Sequence, residues 1–110
     1  MKVLVCGGRK FRDKALMWET LDNLEGITRI IHGGSTGADA GADMWAKERG
    51  IPVSVYPALW NKHGFAAGPI RNGVMLKDAK PDLVVAFPGG RGTDNMVKQA
   101  CKAKVTVIHV

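Results

Sequence analysis

Several patterns that would assign a function at once are missing from this sequence of 110 residues. The only cysteines, Cys6 and Cys101, form no CxxC pair, and no two histidines have metal-ligand spacing, so we predict no metal site. Both cysteines lie beside apolar residues and are expected to be buried free thiols in a reducing compartment. The glycine-rich stretches have neither a P-loop Gly-Lys-Ser/Thr nor a GxGxxG fingerprint. A standard ATPase or nicotinamide enzyme is therefore unsupported, and no cofactor is predicted.

Long apolar runs are also missing. The apolar run at the start of the sequence, Met1 to Cys6, is too short for a signal peptide, and no apolar run approaches transmembrane length. We therefore expect a cytoplasmic protein with no membrane association. There is no internal repeat or linker, and the length fits one domain covering residues 1–110.

Glycine and basic residues are abundant instead. The chain has 14 glycines, well above the average usage of about 7%, and they cluster rather than scatter. Lysine and arginine outnumber acidic residues by 16 to 10, which gives a net charge of +6. This charge is compatible with a lysine-rich solvated surface or with an anionic partner, and composition does not choose between them.

Apolar runs alternate with helical patterns along the whole chain. The runs are mostly continuous and β-branched, as in strands that are covered on both faces. The predicted strands are 3–6, 29–32, 53–56, 83–87 and 105–109. The predicted helices cover about 13–25 and 37–49, then one begins at Pro69 and one at Thr93 or Asp94. This order predicts an α/β, Rossmann-like, three-layer αβα fold with a five-stranded parallel sheet.

In a parallel sheet every strand-to-helix loop emerges at the carboxyl edge, where open sheets of this class bind ligands. Three of these loops are glycine-rich turns that lead into a helix, which favours close approach of backbone N–H groups to an anion. Three arginines on the same rim match phosphate geometry. The predicted ligand-binding residues are Gly7, Gly8, Arg9, Gly33, Gly34, Ser35, Thr36, Asp39, Trp60, His63, Arg71, Asn72, Pro88, Gly89, Gly90, Arg91, Gly92 and Thr93.

Some of these residues have a second, purely structural interpretation. The segment 57–68 is long for such a loop, and its Trp60 and Phe65 could stack on a ligand or simply pack against each other. His63 is a weak acid–base candidate within it. Asp39 could bind a ribose hydroxyl, although capping of the second helix is the simpler interpretation. His32 and His109 end strands and are expected to be structural.

Four motifs, taken together, resemble the SLOG superfamily. They are Gly7-Gly8-Arg9, His32-Gly-Gly-Ser-Thr-Gly-Ala-Asp39, Gly68-Pro-Ile-Arg-Asn72 and Pro88-Gly-Gly-Arg-Gly-Thr93. The resemblance is strongest to the small single-domain proteins related to YspA and YpsA, found in bacteria and phages, and it spans essentially the whole chain. It implies a sensor or processor of nucleotide-derived ligands, including cyclic ADP-ribose-type signals.

Two better-known relatives imply different activities. The Lonely Guy phosphoribohydrolases have a Pro-Gly-Gly-x-Gly-Thr-x-x-Glu motif, which this chain resembles from Pro88 to Thr93 but with Met96 at the position of the catalytic glutamate. Asp94 and Asp39 are the carboxylates that could replace it. The DNA-processing protein A family is similar at residues 33–39 and 71–72, and its members bind single-stranded DNA.

Three hypotheses follow. The leading one is a module that senses or sequesters a nucleotide or nucleotide-derived signal without chemistry of its own; a phage version would act as a sponge. The second is a phosphoribohydrolase or N-glycosidase acting on nucleoside 5′-monophosphates through Arg71 and one aspartate. The third is binding of single-stranded nucleic acid, favoured weakly by the charge and by Lys98 and Lys102. The helices have apolar faces, and Trp18 or Trp45 is available for an interface, which is typical of a homodimer or tetramer.

Overall fold

The computed structural model describes all 110 residues as one three-layer α/β unit. None of its helices combines the length and the apolar composition that a bilayer crossing demands. In chain order the elements are β1 Lys2–Cys6, α1 Lys14–Asp22, β2 Arg29–His32, α2 Ala38–Glu48, β3 Val53–Val55, α3 Trp60–His63, a 3-10 turn Gly64–Ala66, α4 Ala67–Ala79, β4 Leu83–Ala86, α5 Arg91–Lys102 and β5 Thr106–His109.

The five strands form one fully parallel sheet in the order β3-β2-β1-β4-β5. Alternate residues of the central strands face opposite layers. Val3 and Val5 pack with Met17 of α1 and with α2, whereas Leu4 and Cys6 pack with α4 and α5 on the other face. Strand order reverses between β1 and β4, so the carboxyl ends of these two strands mark the topological switch point. The predicted fold class is confirmed.

Helix ends differ from the predicted ones where glycine and proline misled the pattern. The helix predicted to begin at Pro69 starts two residues earlier, at Ala67, because the first turn of a helix tolerates proline. The helix predicted from Thr93 or Asp94 begins at Arg91, with Gly90 as its N-cap. Arg91 and Gly92 therefore belong to the first helical turn and not to the preceding loop.

Burial also departs from the sequence expectation at the periphery. The edge strands β3 and β5 contain no fully buried residue, since each has a neighbouring strand on one side only. Cys6 is buried as expected, but Cys101 is exposed. Among the apolar residues of α4, Met75 is buried, whereas Ile70 and Val74 are 42% and 49% exposed.

The two helical tryptophans are not equally available for an interface. Trp45 is buried in the core, and its indole N–H donates to Asp22 Oδ1 at 2.9 Å. Trp18 is partly buried, with the Lys14 ammonium 4.8 Å from its ring centroid. Of the two side chains expected to be spare for oligomerisation, only Trp18 retains exposed surface.

Two helices end in a residue with left-handed backbone, one at a glycine and the other at a lysine, which gives a pair of stability predictions of opposite sign. Gly50, after α2, has φ +67°, and a Cβ there would meet nothing within 4 Å. Gly50→Ala should therefore lower the free energy of unfolding by about 1 kcal/mol through backbone strain alone. Lys80, after α4, has φ +48° despite its side chain. Lys80→Gly should raise the free energy of unfolding by a few tenths to about 1 kcal/mol.

Urea unfolding of the two variants beside the wild type checks this pair. Equal effects of the same sign would show that the backbone conformation does not control stability at these two ends.

Candidate functional site

The loops at the carboxyl edge enclose a cleft of about 570 Å³, which we call the main cleft. It lies over the switch point between β1 and β4 and is closed on one side by α3 and the start of α4. Its walls are formed by Val5, Cys6, Gly7, Gly8, Arg9, Ser35, Asp39, Trp60, Phe65, Gly68, Pro69, Arg71, Asn72, Gly90, Arg91, Gly92, Thr93 and Asn95.

The floor of this edge is a close crossing of three backbone loops. The Gly8 N–H donates to Pro88 O at 2.8 Å, and Gly8 O accepts the N–H groups of Phe11 and Ala38. A Cβ on Gly37, which has φ +79°, would overlap Gly8 O, and one on Gly89 would lie 2.7 Å from Gly8 N. These glycines are needed because the loops pack against one another, before any ligand is considered.

Asp39 organises the loop between β2 and α2, which we call the second loop, because the loop folds around its carboxylate. It is the second residue of α2 and only 6% exposed, yet its carboxylate does not cap that helix. Its Oδ2 instead accepts the backbone N–H groups of Gly33 at 3.1 Å and Ser35 at 3.2 Å. Burial raises the pKa of Asp39 even though these N–H donors and the charge of Arg71 oppose the increase. The capping expectation is wrong, because the loop turns back over the carboxylate.

Arg71 spans the floor between two loops. Its Nη1 donates to Gly33 O at 2.7 Å and to Tyr56 O at 3.3 Å, and its Nε donates to Asn72 Oδ1 at 2.9 Å. Burial lowers the pKa of Arg71, although the charge of Asp39 opposes this effect. A Cβ on Gly33 would overlap the guanidinium and lie 3.1 Å from Asp39 Oδ2. Gly33 therefore separates the two charged groups, and Nη2 is the terminal nitrogen of Arg71 with no partner in the protein.

These contacts change the expected anion chemistry of the rim. The N–H groups of Gly33 and Ser35 are taken by Asp39, and that of Gly34 donates to His32 Nδ1 at 2.9 Å. The second glycine-rich loop thus has fewer free donors than its sequence predicts. By contrast, no side chain caps the N-terminus of α5, so its first-turn N–H groups have no side-chain acceptor, and the residues of this turn line the main cleft.

A buried histidine supports the second loop from behind. His32 Nδ1 accepts the Gly34 N–H, so its Nε2 carries the proton and donates to Asp43 Oδ1 at 2.8 Å. Lys47 pairs with the other oxygen of Asp43 at 2.7 Å. His32 is therefore structural, as the sequence predicts, and its ring is held in one tautomer.

Aromatic side chains form the mouth of the main cleft. Trp60 is half-exposed, and the Arg9 guanidinium lies 5.6 Å from its ring centroid. Phe65 is fully exposed, in the 3-10 turn after α3. The alternative in which Trp60 and Phe65 pack against each other is therefore wrong, because Phe65 makes no such contact.

The structure brings two thirds of the predicted ligand-binding residues to the main cleft and places the others around it. Gly33, Gly34 and Thr36 line a neighbouring cavity of about 290 Å³ that shares Arg9, Ser35, Trp60 and Arg71 with the main cleft. Pro88 and Gly89 line another depression together with Asp94, Lys98 and His109. His63 faces an apolar depression beside β3.

Six lining residues were absent from the list of predicted ligand-binding residues, although Phe65 was considered as a stacking surface and Gly68 and Pro69 belong to a quoted motif: Val5, Cys6, Phe65, Gly68, Pro69 and Asn95. Val5 and Cys6 were assigned to the core, and Asn95 carries no motif. The helical spacing of Gly92 and Asn95 was the available signal, since residues three apart share a helix face. Burial, then the charge of Asp39, raises the pKa of the Cys6 thiol to about 12, so this thiol is not a nucleophile at neutral pH.

The carboxylates that could replace a catalytic glutamate are not equivalent. Met96 is completely buried between α5 and the sheet, with Leu4 and Met75. Asp94 lies outside the main cleft, so Asp39 is the carboxylate that lines it. No group of three or more His, Cys, Asp or Glu side chains is arranged to hold a metal ion.

Comparison with known proteins adds two findings. The family model of YspA- and cpYpsA-related SLOG proteins matches residues 1–63. The "Gene 61 protein" of Mycobacterium phage D29 is 38% identical over an alignment of length 120, which covers 98% of this chain and 94% of the phage protein.

The support behind the second loop gives a pH-dependent prediction. Hydrogen bonds from Lys47, then His32, hold the pKa of Asp43 below its ordinary value of 3.8, so its contribution to stability is present above that value and is lost as pH falls through the lowered one. Asp43→Asn should lower the free energy of unfolding by about 1 kcal/mol at pH 7. The difference from wild type should shrink below about pH 4.

Urea titrations from pH 7 to pH 3 measure this difference. Glu25→Gln, which removes an exposed carboxylate that lies outside the helices and has no hydrogen-bond or ion-pair partner, serves as the control and should leave the curve unchanged. A pH-independent deficit in Asp43→Asn would rule out the ion pair as the source of the stability.

Proposed function

The chain belongs to the YspA- and cpYpsA-related SLOG family, and from this membership we propose that it binds a nucleotide or nucleotide-derived signalling ligand in the main cleft and does not hydrolyse it. The family suggests nucleotide-related binding or processing. The choice of binding rests on the chemistry of the site.

The observation that carries the proposal is the uncapped N-terminus of α5 beside free guanidinium groups. The first-turn N–H groups of Arg91 to Thr93 have no side-chain acceptor, and a helix N-terminus of this kind favours an anion such as phosphate. The side chains of Arg9 and Arg91 are exposed and line the same cleft. Their forked donors match the oxygens of a phosphate group.

The remaining walls fit the other parts of a nucleotide. Asp39 Oδ1 and Arg71 Nη2 have no protein partner, and no buried polar side-chain atom is left unpaired, so both atoms are exposed, and both residues line the cleft. A carboxylate oxygen of this kind accepts hydrogen bonds from sugar hydroxyls. The exposed rings of Trp60 and Phe65 at the mouth offer stacking surfaces for a base. The volume of about 570 Å³ is typical of small-molecule sites.

Gly90 provides a direct test of ligand binding in the main cleft because its backbone conformation does not require glycine. Its φ is −108°, outside the left-handed region, and a Cβ there would meet nothing within 4 Å. Gly90→Leu should therefore fold normally while its side chain fills the cleft. We expect affinity for nucleoside mono- and diphosphates and ADP-ribose to fall at least about tenfold, the scale of one lost charge-assisted contact.

Melting curves with and without each nucleotide measure both effects. Gly50→Ala is the matched control, because it lies at the far end of α2 and should lower stability but not affinity. If nucleotide raises the melting temperature of Gly90→Leu as much as that of wild type, the main cleft is not the binding site.

One observation favours hydrolysis as a second candidate function. Asp39 is a buried carboxyl group with a raised pKa beside Arg71, and raised carboxyl pKa values are used for general acid catalysis. Against it, the carboxylate already accepts two backbone hydrogen bonds through Oδ2. Met96 adds no second group, because its side chain faces the core.

We therefore expect pure protein to leave AMP intact, with no adenine or ribose 5-phosphate detectable above a heat-treated control after prolonged incubation. Chromatography of the denatured mixture checks this expectation and also identifies retained ligand. Turnover of AMP that disappears in Asp39→Asn would replace binding with hydrolysis as the function.

A further inference from the structure

Three side-chain amides, those of Asn72, Asn95 and Gln99, form a hydrogen-bonded row along the wall between α4 and α5. Asn72 Nδ2 donates to Asn95 Oδ1 at 3.1 Å, and Gln99 Nε2 donates to the same oxygen at 2.7 Å. Neither Asn95 nor Gln99 belongs to a recognised motif of the chain. Asn72 is buried, with 4% of its surface exposed, so its geometry is tightly constrained.

The two outer amides of this row, those of Asn72 and Gln99, are each oriented by a partner that can only donate or only accept a hydrogen bond. Asn72 Oδ1 accepts from Arg71 Nε, which only donates, and Asn72 Nδ2 donates to Gly92 O, which only accepts. Gln99 Nε2 donates to Pro69 O at 3.0 Å, which likewise fixes the Gln99 amide. Both neighbours therefore present N–H groups to Asn95.

This arrangement leaves one orientation for the Asn95 amide. Its oxygen must face the two donors, so its NH2 group faces the opposite way. Asn95 lines the main cleft. Its Nδ2 has no protein partner, and since no buried polar side-chain atom lacks a partner, this nitrogen is exposed to solvent. The cleft therefore contains a neutral group that can donate two hydrogen bonds and accept none.

We propose that Asn95 is a specificity-determining residue of the main cleft, locked by Asn72 and Gln99 so that it recognises a hydrogen-bond acceptor on the nucleotide. The inference rests on the proposed function and adds the polarity of the contact. The acceptor is an oxygen or unprotonated nitrogen of the ligand, supplied by the phosphate or by the base. A ligand that presents an N–H or O–H group there leaves two donors facing each other and is rejected.

Asn95→Asp separates recognition from structure. The carboxylate still accepts the N–H groups of Asn72 and Gln99, so folding should be unaffected, but nothing donates into the cleft. We expect affinity for the nucleoside monophosphates that bind the wild type to fall about tenfold or more. Asn95→Leu should also lose binding, without adding charge. A merely structural role instead leaves Asn95→Asp with wild-type affinity and weakens only Asn95→Leu.

The added charge is controlled in two ways. Lys98→Gln changes the net charge by the same one unit on the same helix but outside the main cleft, and it should bind like wild type. Repeating the titrations in about 0.5 M salt screens long-range charge, whereas the loss of a donor persists.

Titration calorimetry with AMP, GMP, UMP and adenosine identifies the source of the acceptor. Equal losses for the three monophosphates in both Asn95→Asp and the uncharged Asn95→Leu, with adenosine unaffected, assign it to the phosphate. Losses that differ between bases and persist with adenosine assign it to the base. Asn95→Asp binding every ligand within twofold of wild type at both salt concentrations overturns the inference alone. A wild-type protein that binds none of them overturns the proposed function, and the inference with it.

Discussion

The carboxylate of Asp39 is the group on which the functional edge of this protein depends. An ionised carboxylate is costly to bury unless donors surround it. Here the donors are the N–H groups of Gly33 and Ser35, with the Arg71 guanidinium on the other side of Gly33. The loop after β2 folds around Asp39, and Arg71 ties that loop to the residue that follows β3. The loops that form the walls of the main cleft are thus held in place by Asp39 together with Arg71.

This arrangement divides the main cleft electrostatically. The walls carry the partial positive charge of the α5 N-terminus together with Arg9 and Arg91, and the floor carries the Asp39 carboxylate beside the Arg71 guanidinium. An anionic group is therefore favoured at the α5 N-terminus over the floor, where the charge of Asp39 offsets that of Arg71. A ligand with a phosphate at one end and hydroxyl groups farther along fits this field in one direction only.

The sequence predicted the layers and the rim because both follow from simple periodicities. Continuous apolar runs such as 83–86 identify buried parallel strands, and parallel strands bring their loops to one edge. It failed where the outcome depends on which group a donor finds in space. Nothing local in the second loop shows that Asp39 and His32 take its N–H groups, or that Asn72 and Gln99 fix Asn95. Cys101 was misassigned because an apolar neighbour in sequence does not ensure burial at the end of a peripheral helix.

Met96 limits how this protein can diverge. Its side chain is fully enclosed between α5 and the central strands, so a glutamate introduced there would either bury a carboxylate, at a cost of several kcal/mol, or pull α5 away from the sheet. The first turn of α5 supplies the free N–H groups of the main cleft, so any shift of the helix would also displace them. Replacing Met96 alone therefore does not place a glutamate in the main cleft of this chain. A lineage that acquired a glutamate there would need compensating changes in the core before the new acid could be useful.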